Sequence, residues 1–151
     1  MLSFNRVIIA TGGTPKANGF DWLTVLGYRI SLPIPSLFTF NMPKDPITDL
    51  MGVSVPNVVA SIKGSNFKQS GPLLITHWGM SGPAILKLSA FSARSLHANN
   101  YNGELIINWL CMNENEARSK IDLYKLENGK KLVFNNKPFN KLPRSLWKAF
   151  L

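Results

Sequence analysis

The stretch Gly71–Ala90 constrains the fold of this chain more than any other part of the sequence. It contains a short apolar run, Leu73–Thr76, of the kind that forms a buried strand. A glycine-rich turn follows at His77–Gly82, and Pro83 stands where proline commonly opens a helix. The stretch therefore predicts a strand, a tight turn and a helix start that is capped by Ser81 or by the glycine after it.

The turn at His77–Gly82 combines residue types of a binding site with those of a structural corner. A helix start directs backbone N–H groups outward at the positive end of the helix dipole, which suits an anion or the polar edge of a cofactor. The same glycines also suit a corner that only reverses the chain. Both interpretations stand: the geometry alone favours the structural corner, and the histidine, tryptophan and serine in this turn reduce that preference.

The first 32 residues show the order strand, glycine turn, helix, strand. Arg6–Ala10 is a short apolar run that ends at once in Thr11–Gly13. Phe20–Leu26 has helical spacing, with Gly27 where a C-terminal glycine cap belongs, and Tyr28–Leu32 reads as a further strand. This order predicts a piece of an α/β layer that is too small to be a domain by itself.

The residue pattern of the sequence changes after Pro33–Pro35. The alternating prolines there fix an extended segment and mark a crossing between two domains. Beyond this crossing, short strands alternate with turn residues, which indicates a small barrel or sandwich. A hairpin turn is predicted at Lys63–Asn66. The predicted strands are Leu37–Phe40, Val53–Val55, Val58–Ile62, Phe67–Gln69, Leu73–Thr76 and Glu104–Leu110, and the predicted helices are Pro83–His97, Asn113–Leu126 and one from Leu142 onward.

The predicted fold class is α+β. A small β-barrel-like domain with helices occupies residues 36–151, and a remnant of an α/β domain occupies residues 1–35. The apolar content of 45% suffices for one globular core. No apolar run approaches the roughly 18 residues that span a bilayer, and the single cysteine, Cys111, excludes an intrachain disulfide. These features predict a cytoplasmic protein without a membrane partner.

The charge of the chain is strongly positive and uneven. The net charge is +9, and the basic excess is concentrated in residues 118–151. Such a block can bind nucleic acid or an acidic protein, form a solvated face, or meet acidic segments of another part of a protein. The block lacks the interleaved aromatic residues of an RNA-binding sheet, so the last two interpretations are favoured. A non-enzymatic basic binding module remains the alternative function.

Three segments resemble the BaiN/YhiN-type bacterial flavoproteins. The sequence ITHWGMSGPAILKLSA at Ile75–Ala90 is similar to the T-H-x-G-x-S-G-P-A-x-L-x-L-S signature of that family. ATGG at Ala10–Gly13 is similar to the family's segment beside FAD, and LPRSLWKAFL at Leu142–Leu151 to its L-P-x-R-L-W segment. The resemblance implies an FAD-dependent oxidoreductase linked to NAD(P)H, with a β-rich domain inserted into the FAD-binding domain.

The chain departs from that family in lacking two FAD-binding elements. It has no G-x-G-x-x-G turn for the FAD pyrophosphate and no C-terminal glycine-rich FAD segment. The resemblance therefore implies an internal fragment: the end of the FAD-binding domain, followed by an inserted domain that is truncated at its C-terminus. We expect FAD in the intact parent, no FAD in this fragment, and no activity of the fragment alone. Its expected partners are the remainder of the parent, a small-molecule substrate and a second copy paired through exposed strands.

The resemblance also implies a site at the flavin or substrate face. His77 is the candidate catalytic residue, because an imidazole can donate a proton near neutral pH. The alternative is that His77 hydrogen-bonds the backbone and only fixes the turn. The predicted cofactor-binding residues are Ala10, Thr11, Gly12 and Gly13, and the predicted flavin-facing turn consists of Trp78, Gly79, Ser81 and Gly82. No histidine or cysteine spacing fits a metal site. The implied function is that of a fragment of a flavin-dependent oxidoreductase acting on a small organic substrate.

Overall fold

A computed structural model describes residues 4–14 and 16–151 of the chain. The chain divides into two compact units, residues 1–34 and residues 35–151. The assignment of the first unit to an FAD-binding domain stays a prediction, since nothing in its backbone alone identifies it.

Within its described residues, the first unit contains one short helical segment. A 3₁₀ turn at Ala17–Phe20 leads into α1 (Asp21–Val25). The predicted helix and its glycine cap are confirmed, because Gly27 has a φ of +86° and its N–H donates to the Thr24 carbonyl at 2.9 Å.

The two strands predicted in the first unit, Arg6–Ala10 and Tyr28–Leu32, are wrong. Both segments are without regular secondary structure, and Ile8 is 92% exposed. A strand requires a hydrogen-bonded neighbour, and the described part of this unit supplies none to either segment. The apolar pattern of Arg6–Ala10 therefore marks a segment that could pair with a strand, and not a strand of this unit.

The second unit is built on a five-stranded antiparallel sheet in the order β1-β4-β3-β2-β5, which forms half of a barrel. The strands are β1 (Phe40–Asn41), β2 (Ser54–Ile62), β3 (Lys68–Thr76), β4 (Gly79–Ser81) and β5 (Leu105–Asn108). The central strands β2 and β3 carry the buried residues of the sheet, including Val58, Leu73 and Ile75, each 0% exposed. Both edges of the sheet are short strands, which limits pairing with other chains.

A β-bulge explains the irregular pattern of β2. Val55 and Val58 are both buried although they are three positions apart, whereas side chains of a regular strand alternate between faces. The register with β3 shifts between these two valines, so that Pro56 and Asn57 lie exposed at the bulge. Proline has no N–H to give to the ladder and is tolerated at such a position. The segments predicted as two strands therefore form one.

Three helices accompany the sheet: α2 (Pro83–Ala98), α3 (Glu114–Asn128) and α4 (Arg144–Ala149). The helix α2 packs on the sheet through its buried face, which contains Ile85 and Leu88. A capping box begins α3. The Asn113 side-chain oxygen accepts from the Glu116 N–H at 2.9 Å, and the Glu116 carboxylate accepts from the Asn113 N–H, also at 2.9 Å. Leu146 of α4 is 0% exposed and completes the core.

The predicted fold class and helices are confirmed, and the strand bounds differ. The predicted strand Leu37–Phe40 shrinks to β1, because Leu37 has a φ of +60° and the Phe38 N–H donates to Ser89 Oγ of α2 at 2.8 Å. The strands predicted at Phe67–Gln69 and Leu73–Thr76 are one continuous strand, β3. Among the described residues, none of the helices combines the length and the apolar character that crossing a bilayer requires.

Backbone amides of Val7–Ala10 should exchange with solvent far faster than those of Leu73–Thr76. The first segment is exposed and unpaired, so its opening free energy should be near 0 kcal/mol, against about 5 kcal/mol or more for the centre of the sheet. Hydrogen exchange followed by mass spectrometry measures both. Equal protection in a sample shown to be monomeric would contradict this prediction, and protection only in a dimer would indicate strand pairing between copies.

Candidate functional site

The predicted turn is a two-residue hairpin turn, His77-Trp78, between β3 and β4. Gly79 to Ser81, predicted to belong to the turn, form the strand β4. The backbone of the turn is held on both sides: the Met42 N–H donates to the Trp78 carbonyl at 2.8 Å, and Thr76 Oγ1 donates to the Gly79 carbonyl at 3.1 Å. The turn is therefore a fixed platform for two side chains.

Both side chains of the turn face outward. The ring centroids of His77 and Trp78 lie 4.3 Å apart with an interplanar angle of 81°, an edge-to-face contact. Trp78 is 43% exposed. Among the described residues, the His77 side chain makes no hydrogen bond to the backbone or to another side chain. No such bond supports the alternative in which His77 fixes the turn through the backbone, and both roles of His77 stay predictions.

The two glycines of the predicted site admit the chain's own strands. Gly79 has a φ of +149°, and a Cβ there would lie 2.1 Å from the Phe40 carbonyl oxygen of β1. Gly82 has a φ of +100°, and its Cβ would lie 2.8 Å from the Pro72 carbonyl oxygen of β3. The space that a side chain would need at each of these two glycines is thus occupied by backbone atoms of the chain itself. His77 and Trp78 remain as the residues of this stretch that present exposed rings.

Ser81 lies in β4, opposite Leu74, and is half-buried. It does not cap α2: the N-cap residue is Gly82, and no side chain donates to or accepts from the cap. Of the two predicted caps, the glycine is therefore confirmed. Its carbonyl accepts the first helical hydrogen bond, from the Leu86 N–H at 2.9 Å.

An aromatic groove of about 600 Å³ lies beside β1. Its walls include Phe38, Phe40 and Tyr101. The Phe38 ring lies 5.4 Å from Tyr101, edge to face at 82°, and 5.9 Å from Phe40. The Tyr101 hydroxyl donates to the Pro35 carbonyl at 3.3 Å. Three rings in contact form a largely apolar wall with a polar tip.

An unusual backbone places Tyr101 in this groove. Asn100 and Tyr101 have φ values of +50° and +58°, a left-handed conformation that costs about 1–2 kcal/mol per non-glycine residue. The Tyr101 N–H donates to the Leu96 carbonyl at 2.7 Å and closes the end of α2. The strained helix end turns the Tyr101 ring toward Phe38, an arrangement often found at functional sites.

The hairpin turn and the groove are connected through β1. Asn41 lines the groove and pairs with Gly79, the residue after the turn, while Phe40 lines the groove and pairs with Met80. We use the name β1 face for two sets of residues that β1 connects: the groove residues Phe38, Phe40 and Tyr101, and the turn residues His77 and Trp78. Sequence reasoning found the two turn residues and missed the three groove residues. The alternation of Phe38 and Phe40 was the only local signal for them, and it indicated a strand.

The predicted cofactor segment, Ala10–Gly13, belongs to the first unit. Its four residues are exposed and form neither helix nor strand. Gly12 has a φ of +75°, and no atom lies within 4 Å of a Cβ placed at Gly12 or Gly13. At these two glycines, unlike at Gly79, no neighbouring atom of the described chain excludes a side chain. Their open backbone is compatible with close approach of a ligand.

The fold and the sequence together place the chain in a family. Residues 34–151 match the family described as the HI0933-like protein barrel and H2TH domain, so the chain belongs to the HI0933-like family. The half-barrel sheet with its helices agrees with that description.

Three curated relatives carry names that describe an activity. The chain is 36% identical over 98 residues to the ribosomal RNA dihydrouridine synthase of Escherichia coli K12, a match over 57% of this chain and 23% of the relative. It is 32% identical over 94 residues to the protein of the same name from Haemophilus influenzae, with the same two coverages. It is 27% identical over 101 residues to the 3-dehydro-bile acid delta(4,6)-reductase of Clostridium scindens, over 62% of this chain and 25% of the relative. The matches thus span about a quarter of the length of these relatives.

Proposed function

We propose that this chain is the barrel and H2TH part of a flavin-dependent reductase of the BaiN/YhiN type, and that the β1 face meets its substrate. The observation that carries the proposal is that one short strand, β1, lines an aromatic groove and pairs with β4, the strand that begins directly after the exposed His77-Trp78 turn. A groove walled by three rings suits a flat, partly apolar substrate ring. The His77 imidazole, in the turn before β4, supplies an exchangeable proton.

The names of the relatives support a substrate class. Dihydrouridine differs from uridine by two hydrogens on a ring carbon–carbon bond that is conjugated to a carbonyl. The name of the bile acid reductase describes carbon–carbon double bonds conjugated to a 3-oxo group. Reduction of such a bond adds a hydride to the carbon remote from the carbonyl and a proton to the carbon beside it. We therefore propose a conjugated enone or a uracil ring as the substrate of the intact protein.

In this proposal His77 delivers the proton through a ring nitrogen. Its backbone is fixed by the β3–β4 ladder and by the Met42–Trp78 hydrogen bond, so the ring is presented from a rigid turn. The edge-to-face contact with Trp78 limits the directions that the imidazole can take. Trp78 then serves as a wall for the substrate ring.

FAD is the cofactor that we propose for the intact protein. Ala10–Gly13 would hold one edge of it, because their backbone is exposed and glycine leaves its N–H groups accessible. A bound flavin supplies the hydride in reductions of this type. We further propose that the remainder of the parent flavoprotein covers the exposed apolar residues of the first unit, such as Val7 and Ile8.

The intact protein that carries this chain tests the proposal. It should contain bound flavin and, with NADPH or NADH, reduce uridine in an unmodified ribosomal RNA transcript or a steroid 4,6-dien-3-one. Mass spectrometry of the digested RNA and of the steroid measures the products, and the flavin-stripped protein is the control. Bound flavin without either product would overturn the substrate class. A preparation without flavin would overturn the cofactor.

A further inference from the structure

A second cavity lies where the β5–α3 connection faces the loop before α4, and it has a volume of about 320 Å³. We propose that it binds a nucleotide, with the base against Trp109 and the phosphate at Lys120 and Lys141. The lining of the cavity includes Trp109, Phe139, Asn57, Asn140, Lys120 and Lys141. This inference goes beyond the proposed reductase function and does not depend on it.

The basic side chains of residues 118–151 that lack a partner within the described part of the chain lie mainly at this cavity. Most basic side chains of residues 118–151 have a partner within the chain, and only Lys120, Lys130 and Lys141 have no ion pair, side-chain hydrogen bond or aromatic partner among the described residues. Those with a partner are Arg118, Lys125, Lys131, Lys137, Arg144 and Lys148. Two of the three remaining lysines line the cavity, and no carboxylate does. Two unopposed ammonium groups favour a phosphate.

The loop that forms one wall of the cavity is held in place. The Lys137 ammonium donates to the carbonyls of Phe139, Asn140 and Leu142 at 3.0, 2.7 and 2.5 Å. The Phe139 side chain is 6% exposed and its ring lies 6.4 Å from that of Trp147. A wall that is ordered before binding lowers the entropic cost of taking a ligand.

The opposite wall is fixed by the side chain of Asn108 at the end of β5. Its amide donates to the Met112 carbonyl at 2.7 Å and its oxygen accepts from the Leu110 N–H at 3.2 Å. Cys111, between these two, has a φ of +53° and turns the chain sharply. The half-buried ring of Trp109 lines the cavity on this side, and an indole face is a sequence-tolerant stacking surface for a base.

Two amides complete the match to a nucleotide. Asn57 lies at the β2 bulge, and Asn140 lies in the loop held by Lys137. Neither side-chain amide has a hydrogen-bond partner among the described residues. An amide group offers a donor and an acceptor to a base edge. The cavity volume is at the small end of ligand pockets, which suits one nucleotide, either free or within an RNA.

Nuclear magnetic resonance of the ¹⁵N-labelled chain tests this inference. UMP and a single-stranded RNA of about ten nucleotides are titrated separately, and the indole N–H signal of Trp109 is identified by its loss in Trp109→Phe. We expect that signal to shift with both probes. If the RNA binds about tenfold more tightly than UMP, the ligand is a nucleotide within RNA, and if the two affinities are similar, it is a free nucleotide.

A pair of double variants separates the cavity from general charge attraction. K120A/K141A should weaken the binding of either probe about tenfold, and K68A/K87A, which removes two exposed lysines outside the cavity, should leave it within about twofold. Equal weakening by both variants, or an unshifted Trp109 signal, would overturn the inference. Because these measurements need neither flavin nor turnover, their failure is distinguishable from a failure of the reductase proposal.

Discussion

Replacing His77 by asparagine in the intact protein should lower turnover about 10²- to 10⁴-fold, the usual contribution of a positioned proton donor. Asparagine keeps a hydrogen-bonding group but cannot transfer a proton near neutral pH. Stability should change little, because the His77 side chain is exposed and makes no hydrogen bond among the described residues. Steady-state turnover, flavin absorbance and thermal unfolding measure the three quantities.

Two further measurements distinguish proton delivery from a structural effect at His77. Added imidazole should restore part of the turnover of His77→Asn, since it replaces the missing donor. His97→Asn removes the other histidine of the chain, at the end of α2. Because the His97 ring lies 5.6 Å from that of Tyr101, this variant should change KM rather than kcat, and kcat should stay within about twofold. Unchanged turnover of His77→Asn would remove its chemical role. A loss of turnover accompanied by a loss of stability would assign the residue to the structure of the turn.

Replacing Gly79 by alanine should destabilise the chain by about 3 kcal/mol or more. An added Cβ would lie 2.1 Å from the Phe40 carbonyl oxygen and 2.9 Å from the Met42 nitrogen, and both are backbone atoms that cannot move alone. The strand β1 would have to leave β4, and Phe40 would leave the groove with it. Urea denaturation of the chain measures the change in the free energy of unfolding.

Gly64→Ala is the matched control for Gly79→Ala. Gly64 also has a positive φ, +73°, but no atom lies within 4 Å of a Cβ placed there. Its replacement should therefore cost only the backbone strain, about 1 kcal/mol. Equal destabilisation by the two variants would show that the contact of β1 with Gly79 contributes nothing beyond the strain.

Features set by neighbouring residues could be predicted from the sequence. The helix α2 follows from the 3.6-residue spacing behind Pro83, and the start of α3 from Asn113 and the acidic residues after it. Strand continuity could not be predicted in the same way. Pro56 is a local signal against a strand, yet its missing N–H does not interrupt β2, because the bulge leaves this position out of the ladder with β3.

The residues of the candidate site fall into the same two groups: those that the local sequence predicts and those that depend on distant contacts. His77 and Trp78 lie within one compact motif and were found, whereas the groove depends on a contact between Phe38 and Tyr101 across all of α2. That contact requires two left-handed residues at a helix end. Asparagine adopts this conformation more readily than other non-glycine residues, but nothing in the residue type of Tyr101 indicates it. The strand predicted at Arg6–Ala10 failed for a related reason: pairing depends on a partner, and the local pattern does not contain one.

The order of the central strands along the chain has a consequence for synthesis on the ribosome. β2 pairs with β3 across a short hairpin, β3 pairs with β4 across two residues, and α2 follows at once and packs on β3. Short loops cost little entropy to close, and such local contacts form early. The His77-Trp78 turn can thus form while the C-terminal residues are still in the exit tunnel. Leu146 reaches the core last, so a nascent chain that stalls before α4 carries a finished turn and an open core for chaperones to bind.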